Sequence, residues 1–295
     1  MIINGQNLRT LNVGFNASFQ RGFDAPEVYW QHIATQVNST TASNEYGWLG
    51  NIPGFREWFG DRVIHQISAH GYAIKNRKFE LTVGVAADDI KDDNIGIYSP
   101  LMEEMGRQAK IHPDQMVFEA LLGGFDTACF DGQYFFDTDH PVGLGSSKDS
   151  VSNFVTGSGS PWFLMDTSRA LKPLIYQKRE DYNFVAKDNP DDENVFHKDQ
   201  LLYGSSGRGA VGYGFWQLAV GVKDTLDAEG FREARNMMRA FKNDAGVPLG
   251  INPKTLIVGA GNADAARDVL LRDRIDGSSN PDFKLAEIVE VPWLD

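Results

Sequence analysis

SNEYGWLGNIPGFREWFGDRVIHQISAHGYAIKNRKFELTVGV, residues 43–85, decides the reading of this chain. Large apolar side chains (Trp48, Ile52, Phe55, Trp58, Phe59) alternate there with Gly47, Gly50, Pro53, Gly54 and Gly60. Two extended runs follow, 62–67 and 72–85, separated by the turn-like Ser68, Ala69, His70 and Gly71. In the second run Phe79, Leu81 and Val83 point one way and Lys78, Glu80 and Thr82 the other, the period-two pattern of a strand with one buried face. Two strands joined by a small turn make a hairpin, and a lone hairpin is marginal in water. With so many glycines around it, the ribbon reads as an arm that must lie on something else, most simply on another copy of the chain. Trp48, Phe55, Trp58 and Phe59 are therefore candidate contacts between subunits. Packing on their own subunit is the alternative, and the residues alone do not separate the two.

Two long phrases carry a family resemblance. The first is the stretch above continued to residue 109 through GVAADDIKDDNIGIYSPLMEEMGRQA, and the second is GRGAVGYGFWQLAVGVKD at 207–224. Both resemble the major head subunits of Mu-like phages, the gpT family, and the similarity runs from about Phe19 to the end. The resemblance implies an α+β chain with the HK97-like capsid fold: an N-terminal arm (1–43), an extended β-hairpin loop (44–85), a peripheral domain with a spine helix and long strands (86–222), and an axial-domain-like α/β segment (223–295). It implies a protein that works by self-association into hexamers, pentamers and an icosahedral shell around double-stranded DNA. Such a protein is assembled in a bacterial cytoplasm and ends in the virion, with scaffold, portal and decoration proteins as further partners. No catalytic residue, cofactor or metal is implied. One feature departs from the family's usual order. The strands around 210–222 resemble those that close the peripheral domain near the C-terminus, yet here the chain runs on well past them, so a permuted strand order stays open.

The composition agrees with a shell protein without demanding one. A chain of 295 residues with 42% hydrophobic content buries a large core. No apolar run is long enough to span a membrane, and the N-terminus reads as carrying no signal peptide. The single Cys129 forms no intrachain disulfide, which fits a reducing compartment. A net charge of -12 makes a poor non-specific nucleic-acid binder. It suits a container that encloses DNA without adhering to it, and it equally suits any soluble protein.

Taken in order, residues 1–24 read as a flexible terminus up to Phe15, Phe19 and Phe23, whose spacing puts them on one helical face. A helix is expected over 24–37, capped by Asp24 and striped by Tyr29, Ile33 and Val37. Helices are expected over 99–110 and from Pro113 to Leu122, with a break near residues 111–112 because proline interrupts the ladder. Asp88, Asp89, Asp92 and Asp93 read as a solvated turn or cap rather than a calcium loop. Short strands are expected at 133–136, 162–165, 174–177, 184–186 and 200–203, and a long one over 210–222 with alternating faces. A flexible Gly/Ser loop is expected over 143–160. Further on come a helix over 225–245, a strand at 252–258, a helix over 263–272 capped by Asn262, and a last strand at 285–291.

Three motifs invite an enzymatic reading. Asp126, Cys129, Asp131, Asp137, Asp139 and His140 could supply a nucleophile and base or a metal site, but their spacing fits no mechanism. Gly259, Ala260 and Gly261 mimic half of a dinucleotide-binding turn, with Asp264 standing where the third glycine should be. The stretch Ser205, Ser206, Gly207, Arg208 and Gly209 could cradle a phosphate, but no helix follows it. A nucleotide-dependent oxidoreductase or a metal hydrolase using residues 137–140 is accordingly the rival class, and an encapsulin-like compartment is the rival within the same fold.

Overall fold

The computed structural model describes residues 4–49, 71–92, 95–143, 148–189, 191–275 and 277–294. The described residues open on a helix where a flexible terminus was expected: α1 runs Gly5–Asp24, and the Asn4 side chain caps it by accepting from the Gln6 and Asn7 amides at 3.1 and 2.8 Å. The phenylalanine stripe continues backward through Leu8 and Leu11, and this face, with Phe15 and Phe19, is buried. The helix expected over 24–37 does not form. α1 ends at Asp24, a single turn α2 follows at Trp30–Ile33, and β1 takes Ala34–Asn38. Residues 34–38 pair in parallel with 174–178, so sheet pairing wins over a helical spacing of only three apolar residues.

β2 (Ser43–Glu45) and β3 (Ala73–Lys75) pair antiparallel and close the two ends of the arm. The expected strand at 62–67 and residues Phe55, Trp58 and Phe59 lie outside the described residues. β4 (Arg77–Ala86) keeps the anticipated alternation only in part: Phe79 and Val83 are half-buried and Val85 is buried, whereas Leu81 is exposed. A short α3 (Ala87–Lys91) leads to α4, Ser99–Leu122, which is continuous through Pro113 where a break was expected. Packing explains this. α1 lies along the first half of α4, over the buried Met102 and Met105, and the buried Val117, Phe118 and Leu121 hold the rest of its length. One lost ladder bond does not offset that burial.

The loop after α4 contains β5 (His140–Val142), β6 (Asp149–Val151) and β7 (Phe154–Val155), so it is only partly the Gly/Ser linker expected. No strand forms at 133–136; Phe135 and Phe136 are buried there as core side chains on an irregular turn. β8 (Trp162–Met165) follows. The pieces expected at 174–177 and 184–186 are one strand, β9 (Leu174–Lys187), and after α5 (Glu193–Lys198) β10 (Gln200–Tyr213) returns antiparallel to it. The glycines at 207 and 209 sit inside β10, where Tyr182 and the Gln177 carbonyl occupy the space a side chain would need. The long strand expected over 210–222 is split. β10 stops at Tyr213, a turn at Trp216–Leu218 follows, and β11 (Ala219–Val222) crosses into the second sheet. All four residues of β11 are buried, so both of its faces are in the core and alternation carries no signal there.

α6 (Ala228–Ala240) is capped by Asp227 and buries Phe231, Ala234 and Met238. β12 (Thr255–Val258) leads directly into α7 (Ala260–Leu270), whose cap is Gly259, not Asn262. A small hairpin of β13 (Arg274–Ile275) and β14 (Ser278–Ser279) precedes β15 (Glu287–Glu290), which runs parallel to β12.

Among the described residues two main sheets result. The first has the order β1, β9, β10, β4 and packs with α1 and α4. The second has the order β15, β12, β8, β11, β7, with β8 in the centre. Its strands come from both sides of residue 222. None of the described helices is long and apolar enough to cross a membrane.

Candidate functional site

The arm is held at its base by a buried polar clamp. Gln177 of β9 is fully buried, and its Nε2 donates to the Ile74 carbonyl at 3.0 Å and to Asn76 Oδ1 at 2.8 Å. The Tyr46 hydroxyl donates to Gln177 Oε1 at 2.8 Å. Asn76 in turn donates to Ser39 Oγ and the Thr41 carbonyl, both at 2.9 Å. Tyr46, Leu49, Ile74, Ile175 and Ala210 close an apolar shell beside it. Both ends of the loop are thus fastened to the long strands, while residues 50–70 lie outside what is described. Of the four contact candidates, Trp48 packs edge-on to Tyr46 and Phe215 of its own chain and remains 39% exposed. The clamp was missed in the sequence. Its one signal was a glutamine closing the apolar run Leu174, Ile175, Tyr176.

The polar cluster after α4 is assembled, but into a closed network. Cys129 Sγ donates to Asp131 Oδ1 at 3.1 Å, His140 Nδ1 lies 2.8 Å from Asp131 Oδ2, and His140 Nε2 lies 3.0 Å from Asn153 Oδ1. The imidazole is fully buried and stacked on Trp216, centroids 4.0 Å apart. Burial, then the Asp131 charge, pushes the Cys129 thiol up, so it stays protonated and is a poor nucleophile. Burial alone would raise Asp131, but the hydrogen bond and charge of His140, with Cys129 and the Gln133 amide, hold it below the usual carboxylate range. The three potential ligand atoms lie within 4.8 Å of one another. In this arrangement the carboxylate sits between thiol and imidazole with both oxygens engaged, so the three side chains satisfy one another. Asp137 caps its own turn through the Tyr134 and Thr138 amides, and Asp126 and Asp139 are exposed. Asp264, in the dinucleotide-like turn, is exposed and paired with Arg267.

Comparison with known proteins places the chain. The family described as Mu-like prophage major head subunit gpT matches residues 8–294. The chain is 45% identical over 282 residues to the major capsid protein of Escherichia phage Mu, covering 92% of each. It is 46% identical over 274 residues to the Mu-like prophage FluMu major head subunit of Haemophilus influenzae, covering 90% of this chain and 89% of that one. Among solved structures it resembles the procapsid of bacteriophage JBD30, with a TM-score of 0.86 at 43% identity over 99% of this chain and 100% of that one. It also resembles the JBD30 capsid, with a TM-score of 0.81 at 32% identity over the full length of both. The fold is that of the HK97-like phage capsid proteins, and the chain belongs to the Mu-like major head subunit gpT family.

Proposed function

We propose that this chain is the subunit of a phage or prophage head, closing by self-association into an icosahedral shell around double-stranded DNA. The supporting observation is the family match over nearly the whole chain, joined to a fold shared with the JBD30 procapsid. In this reading α1, α4 and the sheet β1–β9–β10–β4 form the peripheral domain, with α4 as its spine helix. The sheet β15–β12–β8–β11–β7 with α6 and α7 forms the axial domain. The arm carries Trp48, Phe55, Trp58 and Phe59 onto a neighbouring subunit. Each contact is modest, and repetition by symmetry makes the shell stable while single contacts stay reversible. One solved capsid of JBD30 is decorated with minor capsid protein trimers, and a decoration partner of that kind belongs to the same proposal. The chain works without catalysis or cofactor.

Electron microscopy and sedimentation of the purified protein test this. Pentamers, hexamers or shells without nucleotide binding are expected. A strictly monomeric species at high concentration with measurable nucleotide affinity overturns it.

A further inference from the structure

We infer that His140 is a buried cation, and that the Asp131–His140 pair is a proton-locked clasp fastening the loop 126–142 to the second sheet. The Asn153 amide is oriented without ambiguity: its Nδ2 faces the carbonyls of Phe135, Trp216 and Ala219 at 2.8, 3.3 and 3.2 Å, and its Oδ1 accepts from the Asp137 amide at 2.9 Å. Asn153 Oδ1 is thus an acceptor, so His140 Nε2, 3.0 Å away, carries a proton. On the other side of the ring Asp131 Oδ2 faces Nδ1 at 2.8 Å. Without a second proton two lone pairs would oppose each other there, beside a net negative charge in the interior. A proton therefore lies between Asp131 and His140. It resides on the imidazole, because the carboxylate accepts from the Cys129 thiol and the Gln133 amide, both at 3.1 Å, which favours its ionised form. Trp216 stacked on the ring gives the cation a π face. Among the described residues, the titratable groups bonded into the ring's network are Asp131 and Cys129 from the loop; Asn153 and Trp216 on the sheet side do not titrate, and Tyr213 of β10 and Tyr72 before β3 interact with Cys129.

What the clasp joins is visible in the topology. Asp131 and His140 belong to the loop, whereas Asn153 leads into β7 and bonds the Trp216 and Ala219 carbonyls where the chain enters β11. Removal of the shared proton turns an ion pair into a repulsive contact and frees the loop. Cys129, the only cysteine in the chain, is buried within that loop and reports its opening.

Two measurements on the full-length protein test the clasp. The first is a 15N spectrum of histidine-labelled protein at pH 8, where an exposed imidazole has mostly lost its second proton. One histidine is expected with both ring nitrogens protonated, and in Asp131→Asn that signal is expected to become a singly protonated ring. Asparagine can donate to Nδ1 and still accept from the thiol, so the fold is retained. The second is the rate at which a disulfide reagent modifies Cys129. The ratio of wild type to Asp131→Asn is expected to rise about tenfold per pH unit once opening releases one proton, and the ratio cancels the intrinsic ionisation of the exposed thiol. A wild-type spectrum with no doubly protonated buried ring overturns the inference, as does a ratio that does not change with pH. If Asp131→Asn does not fold, the wild-type spectrum decides alone.

Discussion

Gly22 of α1 packs against the backbone carbonyl of Glu103 in α4, with no room between them for a side chain. Gly106 meets the Phe19 carbonyl in the same way from the opposite helix. The two backbones touch at this crossing. Gly22→Ala or Gly106→Ala must push the helices apart, at a cost of about 1–3 kcal/mol. Gly14 lies in the same helix with open space around its Cα, and Gly14→Ala should instead add about 0.5–1 kcal/mol. Denaturant unfolding of the three variants checks the contrast. Equal effects would mean that helix propensity, not the crossing, governs.

Asp114 predicts a pH dependence. It is fully buried, its Oδ1 accepts the Tyr29 and Trp30 amides at 3.0 and 2.6 Å, and its Oδ2 has no partner among the described residues. Burial raises its pKa to about 6, against the lowering effect of those two amides. The folded value exceeds the unfolded one, so the folded state binds the proton more tightly. Its contribution is full below about pH 4 and is lost as pH rises through about 6. Stability should therefore fall across that window by on the order of 2 kcal/mol. Asp114→Asn, which keeps the acceptor, should flatten this slope in unfolding curves taken from pH 4 to 7.

Gln177 should matter more than a polar residue on a strand ordinarily does. Gln177→Leu leaves the Tyr46 hydroxyl, the Ile74 carbonyl and Asn76 Oδ1 without their partner. The expected cost is about 1–3 kcal/mol, concentrated at 39–49 and 71–77. Amide exchange should accelerate there first and leave the second sheet unchanged.

Trp48 separates assembly from folding. It is partly exposed on its own subunit, so Trp48→Ala should move the unfolding midpoint by no more than a few degrees. If it touches a neighbour, the same change raises the concentration at which shells form, read by light scattering. Phe55→Ala, Trp58→Ala and Phe59→Ala should behave alike. Normal assembly by all four variants would remove the arm from the contact.

Much of the fold class was legible because two long phrases carried it, and the local readings show why the rest was not. Phe15 and Phe19 pointed to a helical face, yet the helix began ten residues before Phe15, because Leu8 and Leu11 sit among polar residues whose exposed face hid the stripe. Pro113 predicted a break that tertiary burial overrode. Residues 210–222 looked like one strand, since a period-two pattern cannot show that the chain changes sheets at Gly214. The cluster around Cys129 and His140 was visible as a composition. That its members satisfy one another depended on Asn153 and Trp216, both distant in sequence. The clamp on Gln177 joins residues about a hundred positions apart, beyond any local signal.

The placement of β8 has a consequence for how the molecule is made. Trp162–Met165 is flanked by β11 on one side and by β12 on the other, and β15 closes the edge beyond β12. A nascent polypeptide therefore carries an incomplete second layer, with an apolar strand uncovered, until residues 255–290 have emerged to join it. Chains that stop short of β12 and β15 leave that face of the sheet unfinished and the apolar edge of β8 without its cover.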